Sequence, residues 1–126
     1  MNDLQYREHC LSLLTSFAKL MEQQSERTSS DDPLRELASE FQLLVSGTDL
    51  YDSGPPLVAR LFSSCPHLAP SFPRELLWFI GGECLHQMAD EEMAMFEKLD
   101  DMRTEAQDRG ELFDYHEAHA NLLKLQ

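Results

Sequence analysis

An all-α fold is the reading this chain supports, and three observations lead to it. Apolar residues recur at spacings of three and four along most of the length. No run alternates with period two for long enough to make a half-buried strand. Proline and glycine fall mainly between the apolar stretches, where they act as punctuation. At 126 residues the chain can bury one core but not two independent ones. The expectation is a single domain over 1–126, a bundle-like or orthogonal packing of about five to six helices.

Residues 4–24 carry Tyr6, Cys10, Leu13, Phe17 and Leu20, with Leu14 and Met21 alongside, on one face of an amphipathic helix that the polar QQSERTSS ends. Asp32 then stands as an N-cap before Pro33, whose missing N–H costs nothing at a first helical position. Leu34, Leu37, Ala38, Phe41, Leu44 and Val45 continue that helix to Gly47. GTDLYDSGPP has loop composition, so the third helix is expected to open at Pro55 or Pro56 and to carry Leu57, Val58, Leu61 and Phe62 as far as Pro66.

CPHLAPSFP spends three prolines in nine residues and reads as a rigid connector without a helix interior. A further helix is expected from about Phe72, with Pro73 in its first turn and His86 in its last. Leu76 to Ile80 are apolar on every side, which suits a central position. Asp90, Glu91 and Glu92 read as a cap and first-turn acids for a helix bearing Met95, Leu99, Met102 and Ala106 up to Gly110. The last helix carries Leu112, Tyr115, His119, Leu122 and Leu123.

Charge narrows the function classes. Ten basic residues against 23 acidic ones give a net charge of −13, and residues 83–117 hold 12 Asp and Glu against Lys98, Arg103 and Arg109. Such a surface repels phosphate backbones and anionic lipid, so neither nucleic acid nor membrane is an expected partner. The longest apolar run, Leu76 to Ile80, is far short of the length of about 20 residues that spans a bilayer. The start MNDLQYREHC has no secretory character, and Cys10, Cys65 and Cys84 are odd in number, widely spaced and free of any CxxC. A reducing cytoplasm and three small buried apolar cysteines are the expectation.

WFIGGECLHQMADEE, residues 78–92, poses the sharpest local question. Glycine costs about 1 kcal/mol relative to alanine inside a helix, so Gly81 and Gly82 imply a close helix crossing, a kink or helix end, or backbone open to a ligand. Directly after them, Glu83 and His86 form an ExxH, the half-motif that carboxylate-bridged di-metal bundles use twice. With His116 or His119 of YHEAH these residues make a candidate site for a divalent transition metal, the basis of an alternative reading as a metal-binding protein or metal-dependent hydrolase. Two ExxD spacings, Glu97–Asp100 and Glu111–Asp114, resemble the magnesium ligands of all-α nucleotide pyrophosphohydrolases, but Glu36 and Glu40 are four apart where that motif needs three. No GxSxG, GxGxxG or HExxH is present.

The stretch LLWFIGGECLHQMADEE resembles a run in small uncharacterised proteobacterial proteins with a GG[DE]CLH…DEE pattern. The resemblance implies that Gly81, Gly82, Cys84, Leu85, His86 and Asp90 to Glu92 form one structural unit, and it implies no activity or cofactor.

An interaction module is the functional expectation. Met88, Met93, Met95 and Met102 gather with Phe96 around one helix, and soft methionine surfaces suit partner binding. They are the candidate interface of a homodimer, and the acidic flanks favour a basic protein as any other partner. Catalysis and a required cofactor are not expected.

Overall fold

Helix begins at the third residue because the second and fifth cap each other. Asn2 Oδ1 accepts from the Gln5 N–H and Gln5 Oε1 from the Asn2 N–H, each at 2.9 Å, which satisfies donors that a helix start leaves without partners. Helix α1 is Asp3–Ser25. In the computed structural model, which describes residues 2–29 and 31–124, it is followed by α2 Pro33–Ser46, α3 Leu50–Ser64, α4 Arg74–Ile80, α5 Asp90–Asp108 and α6 Tyr115–Lys124. The 3₁₀ helices Pro66–Ser71 and Gly82–Gln87 flank α4 on either side. No strand occurs among the described residues, so the chain is all-α. None of its described helices is long and apolar enough to cross a membrane. Its contacts divide into two compact units, residues 10–86 and residues 2–9 with 87–124.

In residues 10–86 the core is organised on phenylalanine. The Phe17 ring meets Phe41 of α2 edge-on at 5.5 Å and Phe72 at 5.0 Å, and Phe72 meets Phe62 of α3 at 5.8 Å. Each such contact sets a positive ring edge against a negative ring face. On α1 the expected Tyr6, Cys10, Leu14, Phe17 and Met21 are buried, with Ala18, while Leu13 and Leu20 are half-buried at the edge of the stripe. Helix α2 forms as expected: Asp32 accepts from the Leu34 N–H at 2.9 Å, Pro33 opens the helix, and Leu34, Leu37, Ala38, Phe41 and Leu44 are buried.

Helix α3 departs from expectation by starting at Leu50, with Pro55 and Pro56 inside it. The extra turn is held from within, because Leu50 is buried and the buried Gly54 lies against Ile80 of α4, where an added Cβ would stand at an ordinary contact distance of 3.5 Å. Ser53 donates its N–H to the Asp49 carbonyl at 2.9 Å. The prolines supply no N–H to the carbonyls four residues earlier, Tyr51 and Asp52, and both of these residues are exposed. The proline-rich stretch after α3 also differs from a plain connector: it winds into the first 3₁₀ helix and buries Leu68.

Gly81 and Gly82 end a helix and pack its end tightly. Gly81 closes α4 by donating to the Leu77 carbonyl at 2.7 Å, and a Cβ there would fall on that same oxygen. Gly82 then takes φ +55, the left-handed region, and a Cβ on it would stand 2.7 Å from Pro55 Cβ of α3. Helix termination and close approach thus act together, and His86 lies in the following 3₁₀ helix, not in the last turn of an α-helix. With only seven residues, α4 leaves Trp78 and Phe79 half-buried, so its all-round apolarity is not fully enclosed.

In residues 2–9 and 87–124, Ala89 is the N-cap of α5, and Asp90, Glu91 and Glu92 occupy the first turn beside the positive end of the helix dipole. The other end is a Schellman motif: Gly110 at φ +68, with Glu111 N–H to Ala106 carbonyl at 2.8 Å and Gly110 N–H to Gln107 carbonyl at 3.1 Å. Tyr6 and Tyr115 meet at 5.4 Å. The buried Arg103 lays its guanidinium 4.6 Å from the Tyr6 ring centre and pairs with Asp3, and with Asp100 at 3.6 Å. A buried guanidinium needs such partners on several sides.

The two left-handed glycines separate backbone cost from packing cost. A Cβ on Gly110 would meet nothing within 4 Å, so Gly110→Ala is expected to lose only the left-handed contribution of about 1–2 kcal/mol. Gly82→Ala carries the same loss plus displacement of Pro55 and is expected to cost clearly more. Denaturant midpoints check this, and equal losses for the two variants would show that the contact with Pro55 carries no energy.

Candidate functional site

A groove runs along residues of α2 and α3. Glu40, Leu43, Leu44 and Gly47 line it from α2 and its end, and Asp49, Asp52, Ser53, Pro56, Leu57 and Arg60 from α3 and the residue before it; it encloses about 430 Å³. Helical geometry explains the composition. Leu44 is on the inward stripe of α2, and Leu43, about 100° round the helix, is 69% exposed at the edge of the groove. On its other side Leu43 borders a second depression, lined also by Glu22, Ser25, Arg35, Ala38, Ser39, Gln42, Val45 and Ser46. A large apolar side chain thus stands as a ridge between two hollows.

The rim is acidic. Arg60 is held by Glu40 at 2.6 Å and by Glu36 at 3.6 Å, and the hydrogen bond it donates to Glu40 raises the guanidinium above its ordinary range. Its charge is therefore matched within the rim. Asp49 accepts the Ser53 hydroxyl at 2.7 Å, a neutral partner that leaves its charge in place. Glu36, Glu40, Asp49 and Asp52 stand against the single charge of Arg60 in this group.

The residues that sequence singled out for a metal lie as follows. Glu83 and His86 are exposed on the second 3₁₀ helix, where His86 Nδ1 donates to the Glu83 carbonyl. On α6, His116 is exposed and meets His9 of α1 edge-on at 5.1 Å, while His119 is half-buried between Tyr115 at 5.8 Å and Phe96 at 5.7 Å. Among the described residues there is no group of three or more His, Cys, Asp or Glu that could hold a metal ion. The ExxD acids have local duties: Asp100 pairs with Arg103, Glu111 with Arg109 at 3.4 Å, and Asp114 caps α6 by accepting from the Glu117 N–H at 3.0 Å. Of the methionine group, Met88, Met95 and Phe96 are buried, and Met93 and Met102 are half-buried.

Sequence reading missed the groove. Its signal was Leu43, an apolar residue off the stripe of an otherwise regular amphipathic helix.

Comparison with known proteins gives one positive finding. A family model described as PA2817-like matches residues 2–126. The chain belongs to the PA2817-like family. Neither curated proteins nor solved structures yield a match.

The cysteines are free and buried. Burial pushes the Cys65 thiol up from its ordinary range, with Asp32 adding, and does the same for Cys84, with Glu83 adding. A raised thiol has less thiolate at any given pH, and thiolate is the reactive form. In the folded protein at pH 7 to 8, reaction with an aromatic disulfide reagent is expected to be at least about tenfold slower than for a free thiol, with all three sites reacting after denaturation. One fast thiol in the native protein would contradict this.

Proposed function

We propose that the protein is a non-catalytic interaction module of the cytoplasm that acts by binding other proteins, a second copy of itself included. The observation that carries this reading is Leu43, 69% exposed beside a hollow with an apolar wall of Leu44, Pro56 and Leu57. Exposed apolar side chains next to concave surface, rimmed by charge, are the ordinary composition of a recognition surface. Self-association rests on different residues, Met93 and Met102 of α5, which are only half-buried and belong to the methionine group. Methionine adapts to a facing surface at low cost.

Light scattering over a range of concentrations tests the self-associating part. The expected result is a dimer mass at micromolar concentration that Met93→Ser with Met102→Ser returns to monomer, while Leu43→Ser leaves it in place. A monomer mass that does not change on concentration would remove self-association and leave the α2 face as the sole basis of the reading.

A further inference from the structure

We propose that the groove of α2 and α3 takes an amphipathic helical segment of a partner protein, with apolar anchors seated beside Leu43, Leu44 and Leu57 and with lysine or arginine on its flanks. This deepens the interaction reading and rests on it. Three independent features of the groove select a donor-rich cationic partner, and none of them suits a second copy of this acidic chain.

The first is side-chain charge. Three carboxylates, Glu40, Asp49 and Asp52, line the groove with one guanidinium, Arg60, which Glu40 and the neighbouring Glu36 already occupy. A cation docking here meets attraction without displacing an existing pair. A second copy, carrying −13, would meet repulsion.

The second feature is covalent. Pro55 and Pro56 offer no N–H to the Tyr51 and Asp52 carbonyls, so the ladder of α3 is interrupted where Asp52 and Pro56 line the groove. Proline thus supplies no donor to the Tyr51 and Asp52 carbonyls, beside a wall that Asp52 itself lines. The third feature is the end of α2: its last turn, Leu43 to Ser46, presents the negative end of the helix dipole beside Gly47 at the same groove. Carboxylates, carbonyls that lack a proline donor and a helix C-terminus are all acceptors. A lysine ammonium brings three donors and an arginine guanidinium five, with no acceptor on either.

The apolar wall decides between adsorption and seating. Leu43 is 69% exposed, and Leu44 and Leu57 are 6% exposed at the floor. A segment with apolar residues at helical spacing covers this wall while its flanks reach the rim, which is the helix-in-groove mode of recognition.

The test uses the isotopically labelled full chain and two synthetic helical peptides of about 14 residues. One has leucine at helical spacing with lysine elsewhere; the other has glutamate in place of every lysine. Backbone amide shifts report the location, and titration reports the affinity.

The expected result is that the lysine peptide shifts residues around Leu43, Leu44, Gly47, Asp52, Leu57 and Arg60, and that Leu43→Ser weakens it about tenfold. Asp49→Asn with Asp52→Asn should weaken it about fivefold or more, while Asp101→Asn with Asp108→Asn on α5, an equal loss of charge, should leave it within about twofold. Shifts spread over α5, with both charge variants equally affected, would overturn the groove as the site and leave the interaction reading standing. Equal binding of the glutamate peptide would overturn the cationic partner. If the same resonances moved with protein concentration alone, a second copy would be the occupant, contradicting this proposal while supporting self-association. Absence of binding by either peptide, together with a monomer mass at every concentration, would overturn both readings.

Discussion

The edge-to-face contacts of Phe17 with Phe41 and Phe72 are the constraint on which residues 10–86 depend. One ring on α1 fixes α2 through Phe41, and through Phe72 and Phe62 it fixes α3. Rings of this size bury large apolar areas, and their preferred geometry is directional, so they set helix orientation as well as stability. The groove is a consequence of that geometry. Its floor residues Leu44 and Leu57 belong to the same two helices, and its depth follows from how the phenylalanines hold α2 and α3.

Local irregularities gather around this frame. Two prolines inside α3 forfeit two backbone hydrogen bonds, and Gly82 adopts a backbone conformation that other residues avoid. They are linked, since the missing side chain of Gly82 is what allows Pro55 to come so near. Sequences usually keep local preference and global fold in agreement, and departures mark strain or use. Here the glycine departure is explained by packing. Pro55 shares in that packing, while Pro56 lines the groove, which is why it enters a functional argument and the glycine does not.

Much of the architecture was legible from the sequence. The boundaries of α2 follow from Asp32, Pro33 and Gly47, each acting through local chemistry. The first-turn acids of α5 and the glycine that closes it were legible for the same reason, although the cap is Ala89 and Asp90 falls inside the first turn. The start of α3 was not, because what holds its first turn is the burial of Leu50 and the fit of Gly54 against Ile80, contacts made at long sequence separation. The reciprocal cap of Asn2 and Gln5 has a recognisable spacing, and the apolar stripe that begins at Tyr6 overshadowed it. For the candidate site the balance is different. His116 meets His9 from the far end of the chain, and Met88, Met95 and Phe96 turn out to be enclosed; neither could be inferred from spacing along one helix. A groove between two helices becomes visible only when both are placed.

The most direct test of this account is native-state hydrogen exchange, comparing the parent protein with Phe72→Leu. If the phenylalanine cluster holds α1, α2 and α3 as one cooperative unit, amides beside Phe17, Phe41 and Phe62 should lose protection together and by equal free energies, with no smaller local opening of α2 or α3. Loss of protection confined to the neighbourhood of residue 72, with α2 and α3 as protected as before, would contradict the claim that these rings set the groove.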